Sequence, residues 1–325
     1  MSITITTGGI TMTGGGVSFT APPPTGATAG WFGGGLPGTS TVDRITFATD
    51  TATATVRGPL NAPAFLFTGT GNTTDGWFGG GYVNSVRASS TNRITYSTDT
   101  ATTSARGPLA TTSIGLASTS DNTTYGWFGA GYNGTDLSSI SRITYGSDTV
   151  TATSRGPLSS ARYCLYGIGT SSYGWFGGGI SITTSPSGTK STIDRIDYAN
   201  DTATASARGP LSTADNRLAA STDYTTYGWF GGGQDAGSTK LSLVQRITYA
   251  SDTATASVRG PLNASIYALA GVCDATYGWF GGGSDGTTTL SIITRITYAT
   301  DTATSTNRGP LSSIRRFTAA TSGVQ

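Results

Sequence analysis

Six times along the chain an arginine is followed six residues later by an aspartate, and that aspartate seven residues later by a second arginine. The first set is Arg44, Asp50 and Arg57; the rest are Arg93/Asp99/Arg106, Arg142/Asp148/Arg155, Arg195/Asp201/Arg208, Arg246/Asp252/Arg259 and Arg295/Asp301/Arg308. Twelve guanidiniums on one framework could hold carboxylate, sulfate or phosphate groups, because the planar fork matches an oxyanion. Aspartates could in pairs serve as acid and base at a glycosidic bond, but no pair stands out from the seventeen, which are scattered over loops and turns.

Other catalytic equipment is missing. The chain contains no histidine and no glutamate. Without glutamate the glutamate-assisted tyrosine nucleophile of six-bladed sialidases cannot be assembled, and histidine-free nucleophilic triads and zinc sites are without support in the sequence. Asp235 and Asp285-Gly286 could offer oxygens to calcium, but isolated carboxylates supply too few ligands. No catalytic residue, metal or cofactor is therefore expected, and the protein is read as a non-enzyme.

The elements that position the arginines follow from a larger repeat. Each copy opens Gly-Trp-Phe-Gly, with tryptophans at Trp31, Trp77, Trp127, Trp175, Trp229 and Trp279, separated by 46, 50, 48, 54 and 50 residues. A period near fifty residues belongs to propeller blades. Between tryptophan and first arginine the separation varies from 13 to 20 residues, which marks a surface loop. The invariant arginine–aspartate–arginine spacing marks framework.

Each copy reads as four short strands. The stretch before Tyr-Gly-Trp, such as 217–222, is the first; Gly-Trp-Phe-Gly is the second. Arg-Ile-Thr-Tyr is the third, with Ile45 and Phe47 two apart and so on one face. Asp-Thr makes a turn, and the β-branched run 51–57 is the fourth strand, stopped at Gly58-Pro59. No helix is expected. The last copy ends with too few residues to complete another blade, and the first lacks its own leading strand. Residues 316–322 are thus expected to supply that strand, giving an all-β, six-bladed propeller of four-stranded antiparallel blades over 27–325. Its ring is closed by the C-terminal strand, which removes exposed sheet edges.

In a hairpin turning at Asp50-Thr51, Arg44 and Arg57 both lie away from the turn, so the twelve arginines are expected on one face of the disk and the six aspartates on the other. Two readings stay open. Each arginine could bond carbonyls or a neighbouring blade while each aspartate closes its own turn, or the arginine face could bind anionic partners. The variable loops emerge on that same face, and no two share a sequence. Tyr82, Arg87, Tyr132, Asn133, Asp136, Asp235, Lys240 and Asp285 are the candidate ligand-binding residues, as aromatic and polar groups suited to sugars.

Residues 1–26 stand outside the repeat. Ile3, Ile5, Ile10, Met12, Val17 and Phe19 are interspersed with Thr, Ser and Gly, and Pro22-Pro23-Pro24 follow, reading as a β-forming arm and a stiff linker. Such an arm could pair with a neighbour's sheet or with copies of itself, anchoring the protein to an assembly. A net charge of +2 with 11% charged residues gives no general pull on nucleic acid, and no apolar run suits membrane insertion. Cys164 and Cys273 occupy non-equivalent places in their copies and read as buried small hydrophobes.

On its glycine pair after an aromatic strand and the spaced aromatic that follows (Phe47, Tyr96, Tyr145, Tyr198, Tyr249, Tyr298), the chain from about 27 to 325 resembles kelch-type β-propellers. In the usual kelch blade a tyrosine and a tryptophan follow the glycines, whereas here the tryptophan precedes them. The near-identical Thr/Gly-rich copies also resemble repeat proteins of tailed phages, notably marine and cyanobacterial ones. That resemblance implies a non-enzymatic virion structural protein, in a tail, fibre or capsid appendage. Its partners would be other virion proteins through the arm and a host surface glycan, with self-association open. A secreted or surface carbohydrate-binding lectin is the alternative, with an extracellular location, and an aspartate-using hydrolase comes a distant third.

Overall fold

Tryptophan and phenylalanine side by side on one strand must point to opposite faces of a sheet, and this chain uses both. In the computed structural model, which describes residues 2–6, 9–13 and 27–323, the repeats form a propeller-like array of antiparallel sheets. Among the described residues six sheets have four strands. The second sheet is typical: Thr68–Gly71, Asp75–Gly79, Thr91–Thr95 and Ser104–Arg106, each pairing with the next. One sheet is discontinuous in sequence. Its first strand is Ala319–Ser322, which pairs with Ala29–Gly33, followed by Val42–Thr46 and Thr55–Arg57.

The tryptophan of each sheet faces the next sheet and the phenylalanine faces the one before. Five of the six tryptophans are at most 1% exposed, and Trp31 is 5% exposed. The glycine that ends Gly-Trp-Phe-Gly is the footprint of the next sheet's phenylalanine: a Cβ on Gly79 would lie 2.8 Å from Phe128, and one on Gly281 2.8 Å from Phe32. The strand then leaves through a glycine pair in left-handed conformation, Gly34 at φ +58° and Gly35 at φ +115° in the first copy. Only glycine takes such a turn without penalty. The Gly35 amide donates to the Ala64 carbonyl of the link to the next sheet.

Two expectations about the third and fourth strands change. The third aromatic does not extend its strand: Phe47–Thr49 form a 3₁₀ turn, as do Tyr96–Thr98, Tyr145–Ser147, Tyr198–Asn200, Tyr249–Ser251 and Tyr298–Thr300. The fourth strand is correspondingly short, Thr55–Arg57 rather than 51–57. The cause is a neighbour. Each turn swings its aromatic onto the tryptophan of the preceding sheet, with Phe47 stacked on Trp279 at 4.0 Å, Tyr96 on Trp31 at 4.0 Å and Tyr198 on Trp127 at 3.9 Å. Ile45 and Phe47 still share one apolar cluster, with Trp279.

The first strands pack against one another in cyclic order, the strand Ala319–Ser322 lying between Thr68–Gly71 and Ala270–Cys273. Just before each first strand sits a residue with φ between +55° and +60°: Leu66, Gly115, Cys164, Arg217, Ala268 and Phe317. Their backbones form a cycle of six hydrogen bonds. Leu66 donates to Phe317 (3.1 Å), Phe317 to Ala268 (2.8 Å), Ala268 to Arg217 (2.8 Å), Arg217 to Cys164 (2.8 Å), Cys164 to Gly115 (2.6 Å) and Gly115 to Leu66 (2.7 Å).

Near the N-terminus Ser2–Thr6 pairs with Gly9–Thr13 in a two-stranded hairpin. The expected linker, including Pro22-Pro23-Pro24, lies outside the described residues. Among the described residues no helix is long and apolar enough to cross a membrane.

Candidate functional site

The repeat arginines and aspartates do not stand on opposite faces. Strand register offsets the two arginines, Val42 facing Arg57 and Arg44 facing Thr55, so both lie on one side of the sheet on a diagonal. They converge on an aspartate of the next sheet. Asp99 Oδ2 accepts from Trp31 Nε1 at 2.8 Å and from Arg44 Nη1 at 3.3 Å, and Arg57 Nε is 3.4 Å away. The same clamp recurs at Asp148, Asp201, Asp252 and Asp301, and at Asp50, which takes Trp279, Arg295 and Arg308. The aspartates thus reach across to the preceding sheet instead of closing their own turns, and the twelve repeat arginines are engaged in framework.

Two buried ion pairs were not foreseen. Arg162 donates to Asp194 at 2.9 Å, and Arg315 to Asp43, with all four side chains fully buried. The signal existed in the sequence. Aspartate precedes the repeat arginine only in Asp43-Arg44 and Asp194-Arg195, and the four-after-leucine position of the preceding link holds arginine only at Arg315 and Arg162.

Asp215 occupies that same link position in another copy, without a cation. Burial pushes its carboxyl up to about 8, against the pull of the Gln234 and Asn216 amides that donate to it.

Antiparallel order places the variable loops and the links between sheets at one end of the array, and the hairpins Asn72–Asp75, 121–125, 170–173, 223–227 and 274–277 at the other. Fourteen of the nineteen Lys and Arg side chains are ion-paired. The other five, Arg87, Lys190, Arg217, Lys240 and Arg316, all lie at the loop end. At the hairpin end Asp121, Asp223 and Asp274 accept from their own turn amides.

The expected ligand residues separate into groups. Arg87 lies over the Tyr132 ring at 5.1 Å and donates to the Asn133 carbonyl at 3.1 Å, so these three form one exposed patch. Tyr82 stacks on Phe65 at 5.0 Å. Lys240 lies 5.2 Å from the ring of Tyr267, which sequence reasoning had not singled out. The acids are spoken for. Asp136 is buried and accepts from Ser181 Oγ at 2.9 Å and from the Ile182 and Thr183 amides at 2.8 and 2.7 Å. Burial alone would raise its pKa, but these donors outweigh it and hold the carboxyl below its ordinary value. Asp235 accepts from the Thr239 amide at 2.8 Å, and Asp285 from the Thr287 and Thr288 amides, which with the Thr hydroxyls hold its carboxyl far down.

Arg217 and Arg316 were also missed as surface groups. Tyr267 gathers them: Arg217 Cζ is 5.9 Å from its ring and Arg316 Nη1 donates to its hydroxyl at 3.3 Å. Beside them an axial pit is lined by Leu66, Leu116, Leu165, Leu218, Leu269 and Phe317. Cys164 borders the same pit and Cys273 lies deeper along the axis; both are buried, unpaired thiols, each pushed up to about 11 by burial. No protein-family model matches the chain, and no curated protein matches it.

Proposed function

We propose that the chain is a closed six-bladed propeller that works as a non-enzymatic display head, its loop end forming the recognition face. The observation that carries this reading is the division of charge. The framework consumes fourteen of nineteen cations internally, and the five left over collect where the loops of unlike sequence meet. A rigid scaffold with variable loops on one face suits binding. Closure is supported by the pairing of Ala319–Ser322 with Ala29–Gly33, by the Asp50 clamp and by the six-bond axial cycle.

We place this head on a phage virion, as a tail, fibre or capsid appendage anchored through the N-terminal arm, because of the near-identical Thr/Gly-rich copies. Immunogold electron microscopy of particles from the source, with an antibody to the propeller, tests it. Label at a fixed position on the virion is the expected result. Soluble protein without particle label overturns the virion assignment and leaves a free carbohydrate-binding lectin, a second reading favoured by the cation–aromatic pairs Arg87–Tyr132 and Lys240–Tyr267.

A further inference from the structure

Three cations from three segments surround one aromatic ring at the axial mouth of the loop end. Arg217 belongs to the link before the fifth four-stranded sheet, Lys240 to that sheet's variable loop and Arg316 to the link that leads into Ala319–Ser322. Lys240 Nζ is 5.2 Å and Arg217 Cζ 5.9 Å from the Tyr267 ring, and Arg316 Nη1 bonds the Tyr267 hydroxyl at 3.3 Å. Phe317 completes the wall, its ring 6.3 Å from that of Tyr267, with Arg316 5.8 Å and Arg217 6.0 Å from it.

None of the three cations has a carboxylate within ion-pairing distance among the described residues. Their protein partners are neutral: Arg217 Nη1 donates to Gln234 Oε1 at 2.8 Å, and Lys240 Nζ to the Ser238 carbonyl at 2.6 Å. Everywhere else this protein answers a clustered pair of arginines with an aspartate, so an unanswered trio is a departure from its own rule. Like charges held together raise the local potential and are relieved by a bound anion.

Arg217 and Phe317 occupy equivalent link positions in their copies, each at φ +56°, and carry a guanidinium and a phenyl ring at the mouth of the apolar pit.

We propose that Arg217, Lys240 and Arg316, arranged around Tyr267 and Phe317, bind an acidic sugar: a saccharide ring carrying a carboxylate or a sulfate. The anion would sit among the cations, and the C–H face of the ring would lie against the aromatic walls. The assignment rests on the loop end being the recognition face.

The test is equilibrium binding of fluorescent oligogalacturonate, its methyl ester, sulfated dextran oligomers and unsulfated dextran to the full chain. The expected result is salt-sensitive binding of one acidic probe, the two arms distinguishing carboxylate from sulfate, with the neutral counterparts much weaker. K240Q/R316Q should lose at least about tenfold in affinity, as should R217Q, each being the loss of charge-assisted contacts. Unchanged melting of all variants guards against misfolding. Equal binding of acidic and neutral probes overturns the proposal. Full binding by both K240Q/R316Q and R217Q overturns the site while leaving the recognition face standing. No binding of any probe by the parent protein overturns the acidic-sugar assignment, and the virion-labelling result then judges the display reading separately.

Discussion

Trp279 donates its indole N–H to Asp50 across 2.8 Å, joining residues 229 apart in sequence, and stacks at 4.0 Å on Phe47 of the same turn. The last repeat meets the first through the contact that joins every other neighbouring pair. Equivalence of this junction with the internal ones is therefore measurable.

Asp50→Asn should cost as much stability as Asp148→Asn, about 3 kcal/mol each, because each leaves two partly buried guanidiniums without their counter-charge. Urea unfolding of the two variants gives the comparison. A much smaller loss at Asp50 would mean that the junction between last and first repeats is loose.

Ending the chain at Phe317 removes the strand Ala319–Ser322 and exposes the edge of Ala29–Gly33. Exposed edges pair with other chains, so the truncated protein should oligomerise or aggregate where the full chain does not. Sedimentation velocity reads this directly, and a monodisperse truncated monomer would contradict it.

Asp215 makes stability depend on pH in a defined direction. Its carboxyl rises from 3.8 unfolded to about 8 folded, so the folded state binds the extra proton. Its contribution is fully present below pH about 4, declines as pH rises through the folded value, and is gone above it, with a slope of up to about 1.4 kcal/mol per pH unit. Asp215→Asn keeps an acceptor for the Gln234 and Asn216 amides. Melting curves from pH 4 to 9 should be flatter in that variant, and the variant should be the more stable protein at pH 9.

Two glycine-to-alanine changes should move stability in opposite directions. A Cβ on Gly156 would lie 2.0 Å from the Ala203 carbonyl oxygen, where Arg-Gly-Pro-Leu passes the next sheet's turn, whereas one on Gly146 meets nothing within 4 Å. Gly156→Ala forces backbone apart and should cost about 3 kcal/mol. Gly146→Ala should stabilise by about 0.5 kcal/mol through the unfolded state. Thermal denaturation of both separates the steric role from mere composition.

Cys164 and Cys273, with thiols pushed up to about 11, should resist thiol reagents at pH 8 in the native protein and react rapidly once unfolded. Fast native labelling would show that the axial region opens.

The repeat made much of this architecture legible in the chain itself. Tryptophan spacing, the arginine–aspartate–arginine interval and alternation within short runs are local patterns, so the four-stranded sheets and the strand taken from 316–322 could be read directly. The exchange of Asp43/Arg315 and Asp194/Arg162 was also written in the aligned copies, though visible only when the position before the repeat arginine is compared with the one after Gly-Pro-Leu. The partner of each repeat aspartate was not. Within one copy Asp50 lies nearest its own turn, and only the angle between neighbouring sheets brings Trp279, Arg295 and Arg308 to it instead. The same holds for Tyr267, Arg217, Lys240 and Arg316: Tyr267 and Arg316 occupy equivalent link positions and Arg217 the next one, but nothing within a copy shows that these links and the Lys240 loop meet. Local sequence determines what each repeat becomes, because strand and turn preferences act over a few residues. Which charges are neutralised and which are left without a counter-charge is decided by packing between repeats, where side chains far apart in sequence share one small volume.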